Sequence, residues 1–496
     1  MIHKTAQVIK TLLVTICFAC SQIVSAQNDR LEGTPIGSYP YFDFKTSSTT
    51  SAKNDPSCAF DGDEETYYAS SRQSMGWVGL DLGEAHVITK IGVLPRNTSS
   101  SNTNMLLGVL EGANDPTFID AVPLYVIQEA PIKDFVTYYN IEVSRGVRYV
   151  RYVGPDKTRS AIAELSFYGY KGAGDDSRFY QVTNLPTVSI HVQDDKVPQN
   201  KKQDFDARIF LTCDQGTLVQ EWPIKVRVRG NFSATHENKP YRFKIDDGKS
   251  HRLFKGSAKY ESPAKAKKWT LINNFGDKTL IRNNVAYEVS HRVGMTFTPY
   301  CRNVDLLLNG EYRGTYQLTD WVGIDPNRID IAEMAPSDTE GDLLTGGYLF
   351  EMNGYATQDP VHFTSGYGNP VTIHEPEDGD IQPEQFNYIT SYFNEMENRL
   401  FGQNYTSETL GYRTHLDTES FLKYFLANEF SGNTDMFWQV YMWKQRMDPL
   451  IYTGPVWDND LSLDNDHNVY PGNEREEWTY KVRCAGRWNK VMPTQA

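Results

Sequence analysis

Two turns near the C-terminal end of the sequence carry aspartates whose spacing could support chemistry. Asp435 follows Asn433-Thr434, and Asp458 is followed two positions later by Asp460. The residues between the turns are typical of a strand pair, which would return the chain to its starting point. One carboxylate that orients a hydroxyl and a second that holds magnesium are the minimum equipment for phosphoryl transfer. Without further support, the same acids could be solvated loop residues.

The element that leads into Asp435 is predicted as a helix over 418–430, capped by Asp417 or Thr418. One side of this helix collects the apolar residues Phe421, Leu422, Phe425 and Leu426. A second helix is predicted over 279–293, with Asp277 or Thr279 as its cap.

The chain before these helices is predicted to form strands. Alternating apolar and polar residues mark the runs 188–192, 222–228 and 241–245, and 306–312 contains the hairpin signal Asn309-Gly310. Strands followed by helices indicate an α+β domain over 185–496.

The N-terminal part of the chain is predicted as an all-β sandwich over 33–170. It consists of short strand-like runs separated by turn residues, at 77–82, 87–94, 146–153 and 163–169. Gly83 is expected to end the first of these strands. Residues 171–184 contain glycine, serine and charged residues and are predicted to be a linker.

Residues 1–26 are typical of a signal peptide. Lys4 and Lys10 accompany a short apolar run over 11–20, and Val24-Ser25-Ala26 supplies the small residues that signal peptidase requires. A retained anchor and a lipoprotein attached through Cys20 are the less favoured alternatives. We therefore expect a secreted, periplasmic or cell-surface protein with no transmembrane segment after signal cleavage.

Composition excludes some classes of function. The formal net charge is −14 at pH 7, and such a surface repels nucleic acid and anionic lipid. The cysteines outside the signal peptide have no CxxC spacing, which excludes a cysteine-based zinc ribbon. They are expected to be buried free thiols: Cys58, Cys213, Cys301 and Cys484.

The first module resembles the coagulation factor 5/8 type C, or discoidin-like, domains. The residues that carry the resemblance are 59–63 (AFDGD), Thr66, 77–83 (WVGLDLG), Arg96 and 163–169 (AELSFYG). The resemblance implies a structural calcium ion held by oxygen ligands. The matching positions are Asp61, Asp63, Thr66 and Glu164; a plain polar turn is the alternative.

The same resemblance implies a glycan or other cell-surface ligand, bound by loops at one end of the sandwich. The loops 72–75 and 97–104 are rich in serine and asparagine and could donate hydrogen bonds to a sugar. Solvated turns have the same composition, so the sequence does not name a ligand.

The second module resembles the CotH family of spore-coat and secreted atypical kinases. Separated segments match in order, namely 229–233 (RGNFS), 239–244 (KPYRFK), 269–271 (WTL), 277–283 (DKTLIRN), 308–316 (LNGEYRGTY), 347–351 (GYLFE), 433–435 (NTD) and 455–460 (PVWDND). The resemblance implies an exported kinase that uses ATP and Mg²⁺ or Mn²⁺ to phosphorylate a protein hydroxyl.

Roles for single residues follow from this resemblance. Asp435 takes the place of the catalytic aspartate, and Asp458 takes the place of the metal-binding aspartate, with Asp460 sharing the metal. Cations for the nucleotide phosphates are expected among Lys244, Lys239 and Arg229, whereas Arg282 is expected to be structural.

The sequence also departs from the family pattern. Asn459 stands where an aromatic residue is usual, Gln439 stands near the usual position of a metal-assisting asparagine, and Met352-Asn353 replaces a frequent acid. The chain stops soon after Asp460, so a shortened lower lobe is expected.

Two other functions stay open at this point. One is an inactive, glycan-targeted scaffold with a kinase-like domain. The other is a glycoside hydrolase with Glu351 and Asp435 as its paired acids.

Overall fold

The computed structural model describes residues 29–41, 54–466 and 478–479. The predicted signal peptide of residues 1–26 and Cys484 lie outside these residues. No helix in the described ranges is long and apolar enough to span a bilayer.

Eight antiparallel strands form the N-terminal module. The long strand β3 lies at its centre and pairs with β2, β6, β7 and β8, while β4 links β7 to β5, and β1 pairs with β8. The strands are β1 (Asp29–Arg30), β2 (Thr34–Gly37), β3 (Trp77–Leu94), β4 (Val109–Ala113), β5 (Val122–Val126), β6 (Thr137–Asn140), β7 (Gly146–Val153) and β8 (Glu164–Lys171).

Apolar side chains of these strands form one core. Val78, Leu80 and Ile91 on β3 pack in a buried cluster with Leu165 and Phe167 on β8. Each such buried side chain contributes about 1.5–3 kcal/mol relative to an exposed one. The predicted all-β sandwich is confirmed.

The two strands predicted over 77–82 and 87–94 are one strand, so Gly83 does not end the first. Gly83 has φ +79°, and its N–H donates to Asp81 Oδ1 at 2.8 Å. The pairing of β3 with β7 shifts between Asp81 and His86. Glycine therefore forms a bulge here, and the strand continues past it.

Seven strands of the second module close into a barrel in the order β10, β11, β12, β13, β15, β14 and β9. They are β9 (Thr187–Val192), β10 (Phe205–Cys213), β11 (Leu218–Val228), β12 (Tyr241–Ile245), β13 (Lys268–Ile272), β14 (Cys301–Leu308) and β15 (Glu311–Asp320). On β12 the two-residue period buries Phe243 and Ile245 inside the barrel and turns Arg242 and Lys244 outward.

A five-stranded sheet with helices follows the barrel, in the strand order β17, β18, β16, β19 and β20. Its strands are β16 (Tyr348–Asn353), β17 (His362–Thr364), β18 (Pro370–Glu375), β19 (Gln439–Lys444) and β20 (Ile451–Thr453). The helices are α1 (Arg282–Arg292), α2 (Gly341–Leu344), α3 (Pro383–Phe401) and α4 (Thr418–Ser431). The predicted α+β class of this domain is confirmed.

Helix α1 begins three residues later than the predicted start at 279. Leu280 has φ +60°, a left-handed conformation that no right-handed helix accommodates. Asp277 accepts hydrogen bonds from the backbone N–H groups of Thr279 and Arg282, at 2.9 Å each, and so closes the turn before the helix.

Helix α4 has the predicted cap, since Asp417 Oδ1 accepts from Ser420 N at 2.7 Å. The predicted apolar face is wrong, because Leu422 and Leu426 are 50% and 55% exposed. The buried face instead carries Ser420, Tyr424, Ala427, Asn428, Glu429 and Ser431.

The two modules share a buried boundary. Glu111 of the sandwich accepts from Arg151 at 2.6 Å and faces the barrel, where His191 Nε2 lies 3.5 Å from its carboxylate. The tip of the β14–β15 hairpin closes over this pair, and a Cβ added at Gly310 would lie 2.6 Å from Glu111. Within the predicted linker 171–184, Phe179 and Val182 are buried. The connection between the modules is therefore packed.

Candidate functional site

Three carboxyl groups meet where α4 and β20 end. Asp435 follows α4, and Asp458 and Asp460 follow β20; all three are half-buried. Burial and the charges of Asp458 and Asp435 raise the pKa of Asp460 to about 8. Burial also raises the pKa of Asp458, helped by the charge of Glu351 and opposed by that of Arg229. The charges of the acids therefore act on one another, and the charge of Arg229 opposes this repulsion at Asp458.

Buried polar groups of α4 hold the turn of Asp435. The Tyr424 hydroxyl donates to the carbonyl of Met436 at 2.6 Å, and Asn433 Nδ2 donates to Asn428 Oδ1 at 2.9 Å. The N–H of Asp435 in turn donates to Asn433 Oδ1 at 3.0 Å. The polar face of α4 therefore positions the carboxylate, which explains why its leucines point outward.

A chain of side-chain amides positions the second acidic turn. Asn283 on α1 accepts from the N–H of Asn459 at 2.7 Å and donates to Asn274 at 3.2 Å, and Asn274 donates to Gln317 of the barrel at 3.1 Å. Asn459 is fully buried, between two acids that are not. Asp458 itself has φ +57°. The barrel and α1 thus anchor the backbone of the turn that carries the two carboxylates.

The three predicted phosphate cations lie in different surroundings. The Arg229 guanidinium carbon lies 5.6 Å from the centroid of the Trp457 ring, and its charge acts on Asp458. Lys239 Nζ donates to the carbonyl of Ala234 at 2.9 Å, within its own loop. Lys244 is exposed, and its charge acts on Lys268 of the neighbouring strand. Of the three, the described contacts bring Arg229 to the acids.

The predicted calcium residues come together in the sandwich. Glu164 Oε1 accepts from the N–H of Gly62 at 2.8 Å, and Thr66 Oγ1 donates to Asp61 Oδ2 at 3.0 Å. The N–H of Asp63 donates to Asp61 Oδ1 at 2.9 Å. Burial and the neighbouring Asp61 raise the pKa of Glu164 to about 7. Crowded carboxylates and carbonyls are the oxygen donors that Ca²⁺ prefers.

A pocket of about 360 Å³ opens at one end of the sandwich. The guanidinium of Arg96 lies 3.6 Å from the centroid of the Tyr67 ring, and that of Arg159 lies 4.1 Å from Tyr41. The predicted loop 97–104 contributes Thr98, Ser101 and Asn104 to its lining. The other predicted loop faces the barrel, since Arg313 donates to Met75 Sδ at 3.5 Å.

Comparison with known families decides the identity of the larger domain. The CotH kinase protein family matches residues 226–492, which is more than half of the chain. This chain belongs to the CotH kinase protein family. The F5/8 type C domain matches residues 43–165, so the order of modules expected from the sequence is confirmed. No curated protein matches the chain.

Solved structures align with the F5/8 type C domain of this CotH protein. A CBM62 module of Clostridium thermocellum Xyl5A is 36% identical and covers 29% of this chain and 99% of its own, with a TM-score of 0.27. A chitosan-binding module of a Paenibacillus sp. IK-5 chitosanase/glucanase is 19% identical (29% and 98%, TM-score 0.23). A CBM32 module of a Clostridium perfringens family 31 glycoside hydrolase is 18% identical (29% and 99%, TM-score 0.23).

Arg242 was given no role in the sequence analysis, although it lies in the same basic group as Arg229. Arg242 lies on β12, with its guanidinium carbon 4.7 Å from the Trp321 ring centroid, just after β15. Burial and the charges of Arg227 and Arg229 lower the pKa of Arg242 to about 10, which puts it in the same basic group as Arg229. The sequence pattern could have identified Arg242, because alternation along β12 places it on the same outward face as Lys244, opposite the buried Phe243.

The acid of the GYLFE segment (347–351) has a defined partner in this CotH chain. Glu351 is buried on β16, and its carboxylate lies 2.7 Å from His374 Nε2. Burial alone would lower the pKa of His374, but the hydrogen bond and charge of Glu351 raise it above its ordinary value. Gln439 pairs with Asn353 at the ends of β19 and β16, beside the acidic turn. Arg282 pairs with Asp277 and so has the structural role expected of it.

Proposed function

We propose that this chain is an exported CotH-type kinase that transfers a phosphoryl group from ATP to a protein hydroxyl, and that its sandwich targets it to a glycan. The observation that carries the proposal is that the turns after α4 and β20 bring Asp435, Asp458 and Asp460 near enough for their charges to act on Asp460, while the charge of Arg229 acts on Asp458. Phosphoryl transfer needs such positioning and charge stabilisation more than covalent chemistry.

The acids have separate roles in this proposal. Asp435 accepts a hydrogen bond from the acceptor hydroxyl and aims its oxygen. Asp458 and Asp460 are the residues that would hold Mg²⁺ or Mn²⁺, and bound metal would neutralise phosphate charge. Within the described ranges, no three His, Cys, Asp or Glu side chains form a metal cage by themselves. Magnesium suits such a site, because it commonly takes one or two carboxylates and completes its shell with phosphate and water.

The four candidate cations all belong to β12 and the loop before it, and they differ in the charges with which they interact. Arg229 is the guanidinium group that would contact the phosphates of ATP, since its charge acts on Asp458, and Arg242, whose charge interacts with that of Arg229, is the second candidate. Lys239 and Lys244 stay predicted contacts that would require rotation of their side chains. Export remains a prediction from residues 1–26.

The sandwich would supply binding and no chemistry. Calcium held by Asp61, Asp63, Thr66 and Glu164 would join the first turn to the start of β8 and so brace the loops at this end. The pocket that Tyr67 and Arg96 line offers a ring face and charged donors, as a sugar requires.

Labelled ATP with Mg²⁺ or Mn²⁺ tests the proposal through autophosphorylation of the full chain. Incorporation by the wild type should be lost in Asp435→Ala and in Asp458→Ala, and should persist in Asp378→Ala, which removes an exposed acid of the same half. Nucleotide binding without incorporation would favour the inactive scaffold, and equal incorporation by all four proteins would refute the assigned roles.

A further inference from the structure

Three aromatic rings form an exposed stack on the loop between β11 and β12 and the turn after β13. The rings of His236 and Phe275 are nearly parallel, with centroids 3.8 Å apart, and Phe232 meets His236 edge-on at 5.0 Å. Phe232 and Phe275 are 72% and 58% exposed. We call Phe232, His236 and Phe275 the aromatic platform. Its rings face water, so packing of the barrel core does not account for them.

The platform adjoins the acidic cluster on one side. Gly276 directly follows Phe275, and a Cβ added at Gly276 would lie 3.6 Å from Asp460 Oδ2. Asn465 ties the two together, since its Nδ2 donates to the carbonyls of Gly276 at 2.9 Å and Asp460 at 2.7 Å. A group that rests on the platform is therefore close to the proposed metal ligands.

The platform adjoins the sandwich pocket on the other side. Glu237 directly follows His236, and its carboxylate accepts from Lys157 Nζ at 2.7 Å. Lys157 precedes Thr158 and Arg159, which line the pocket. The platform thus lies along the path from the pocket to the acids, and its surface is continuous with the boundary between the two modules.

The chemistry of the platform suits a sugar ring. The C–H face of a pyranose is apolar and slightly positive, and it packs on the negative face of an aromatic ring. The platform residues Phe232 and His236 have polar neighbours in sequence at Asn231, Glu237 and Asn238, and because Glu237 and Asn238 are exposed, sugar hydroxyls could exchange hydrogen bonds with them. A peptide aromatic would use the rings but not this polar rim.

We infer that the aromatic platform binds a sugar of the phosphoryl acceptor, so that the acceptor is a glycoprotein whose glycan also reaches the sandwich pocket. This inference rests on the proposed function. In the transfer, an acceptor hydroxyl oxygen bonds to the γ-phosphorus while the bond from that phosphorus to the β–γ bridging oxygen breaks. ADP leaves, and the hydroxyl proton passes to the Asp435 carboxylate.

The first test measures acceptor choice with labelled ATP, Mg²⁺ and bovine fetuin before and after enzymatic removal of its glycans. The wild-type full chain should label intact fetuin at least about tenfold faster than deglycosylated fetuin. The double variant Phe232→Ala/Phe275→Ala should lose this preference through a raised acceptor KM, with the KM for ATP unchanged. Phe135→Ala, which removes an equally exposed ring of the sandwich, should behave as wild type.

Equal labelling of the two fetuin forms, or an unchanged preference in the double variant, would overturn the inference. A raised KM for ATP in the double variant would also overturn it, because the platform would then belong to the nucleotide site.

A second test separates failure of the inference from failure of the proposed function. Binding of xylo-, galacto-, gluco- and chito-oligosaccharides is measured with the full chain carrying Tyr67→Ala, which disables the sandwich pocket. If the wild type incorporates label neither into itself nor into fetuin, the kinase proposal fails, and if it labels itself but not fetuin, the kinase proposal stands; in both cases this binding measurement alone decides the platform. Saturable binding that Phe232→Ala/Phe275→Ala removes would support a sugar site, and absence of binding would overturn it.

Discussion

Two acidic clusters of this protein are crowded for the same reason and yet are built differently. In the sandwich, burial and Asp61 raise the pKa of Glu164, and in the cleft burial and two aspartates raise the pKa of Asp460. The sandwich cluster draws all of its acids from one module, where backbone N–H groups and Thr66 already bond the carboxylates.

The cleft cluster draws its acids from two turns, and the cation whose charge acts on Asp458, Arg229, directly follows the barrel strand β11. Its carboxylates are held indirectly, through the backbone of Asn459 and Asp435. The sandwich carboxylates are bonded to backbone N–H groups and to Thr66 of their own module, as suits a brace, whereas the cleft acids lie on turns that separate elements position. This difference separates the proposed catalytic site from the proposed structural one.

Removal of one acid from each cluster should give opposite results. Asp458→Ala should lower the transfer rate by about 10³-fold or more, because it removes charge stabilisation of the transition state. It should leave Tm unchanged or higher, since a buried like charge is lost. Asp61→Ala should leave the transfer rate within about twofold of wild type, because its cluster has no part in the chemistry.

Calcium addition completes this comparison. At 100 times its Kd, Ca²⁺ should add about 2.7 kcal/mol to the free energy of unfolding of the sandwich, and Asp61→Ala should abolish the gain. Thermal unfolding of the wild type and of Asp61→Ala, each with Ca²⁺, with Mg²⁺ and with a chelator, measures this gain. If Ca²⁺ changed the transfer rate but not the Tm, the assignment of the sandwich cluster as a structural calcium site would be wrong.

Loss of the amide chain should damage the cleft without removing an acid. Asn283→Ala leaves the Asn459 N–H without its acceptor, so the acidic turn loses its anchor on α1. We expect kcat to fall about 10- to 100-fold. Steady-state kinetics check this, with Asn284→Ala on the same helix as the control. A fall of similar size in the control would mean that α1 as a whole, and not the amide, holds the turn.

Substitution of the cations should separate Arg229 from Lys244. Arg229→Ala and Arg242→Ala should each raise the KM for ATP about tenfold or more, because a charge-assisted hydrogen bond is lost. Lys244→Ala should change it by less than about twofold, as expected for an exposed cation. Steady-state kinetics at fixed Mg²⁺ measure the KM for ATP of the three variants. A larger increase for Lys244→Ala than for Arg229→Ala would favour Lys244 as the phosphate contact, as the sequence analysis proposed.

The smallest expected effect concerns pH and the Glu351–His374 pair. Because the folded pKa of His374 is raised, its pairing stabilises the fold fully below the unfolded pKa of about 6.5. This stabilisation is lost as the pH rises through the folded value. The Tm of wild type should therefore exceed that of His374→Gln most at low pH, and the gap should narrow towards alkaline pH. A gap that widens with pH would contradict the pairing.

Local pattern predicted much of the fold. Strands β7 and β12 and the Asn309-Gly310 hairpin coincide with their predicted positions, since alternation and turn residues act over a few neighbours. Helix α3 was not assigned, although Pro383 and the Gln382–Gln385 capping box mark its start. The face of α4 was misassigned because its polar side is buried against the turn of Asp435, and such conflicts between pattern and burial are expected at functional sites.

The sequence by itself determined which residues were available: the acids of both clusters, their order along the chain and the two family resemblances. Only the tertiary structure decided which of them meet. It brought Arg229 to Asp458 and kept Lys239 on its own loop, and it set the aromatic platform between the pocket and the acids. The physical reason is the distance along the chain over which each effect acts. Secondary-structure propensity and turn chemistry depend on residues that are near neighbours in sequence. Charge proximity instead depends on how the closed barrel and the five-stranded sheet pack together.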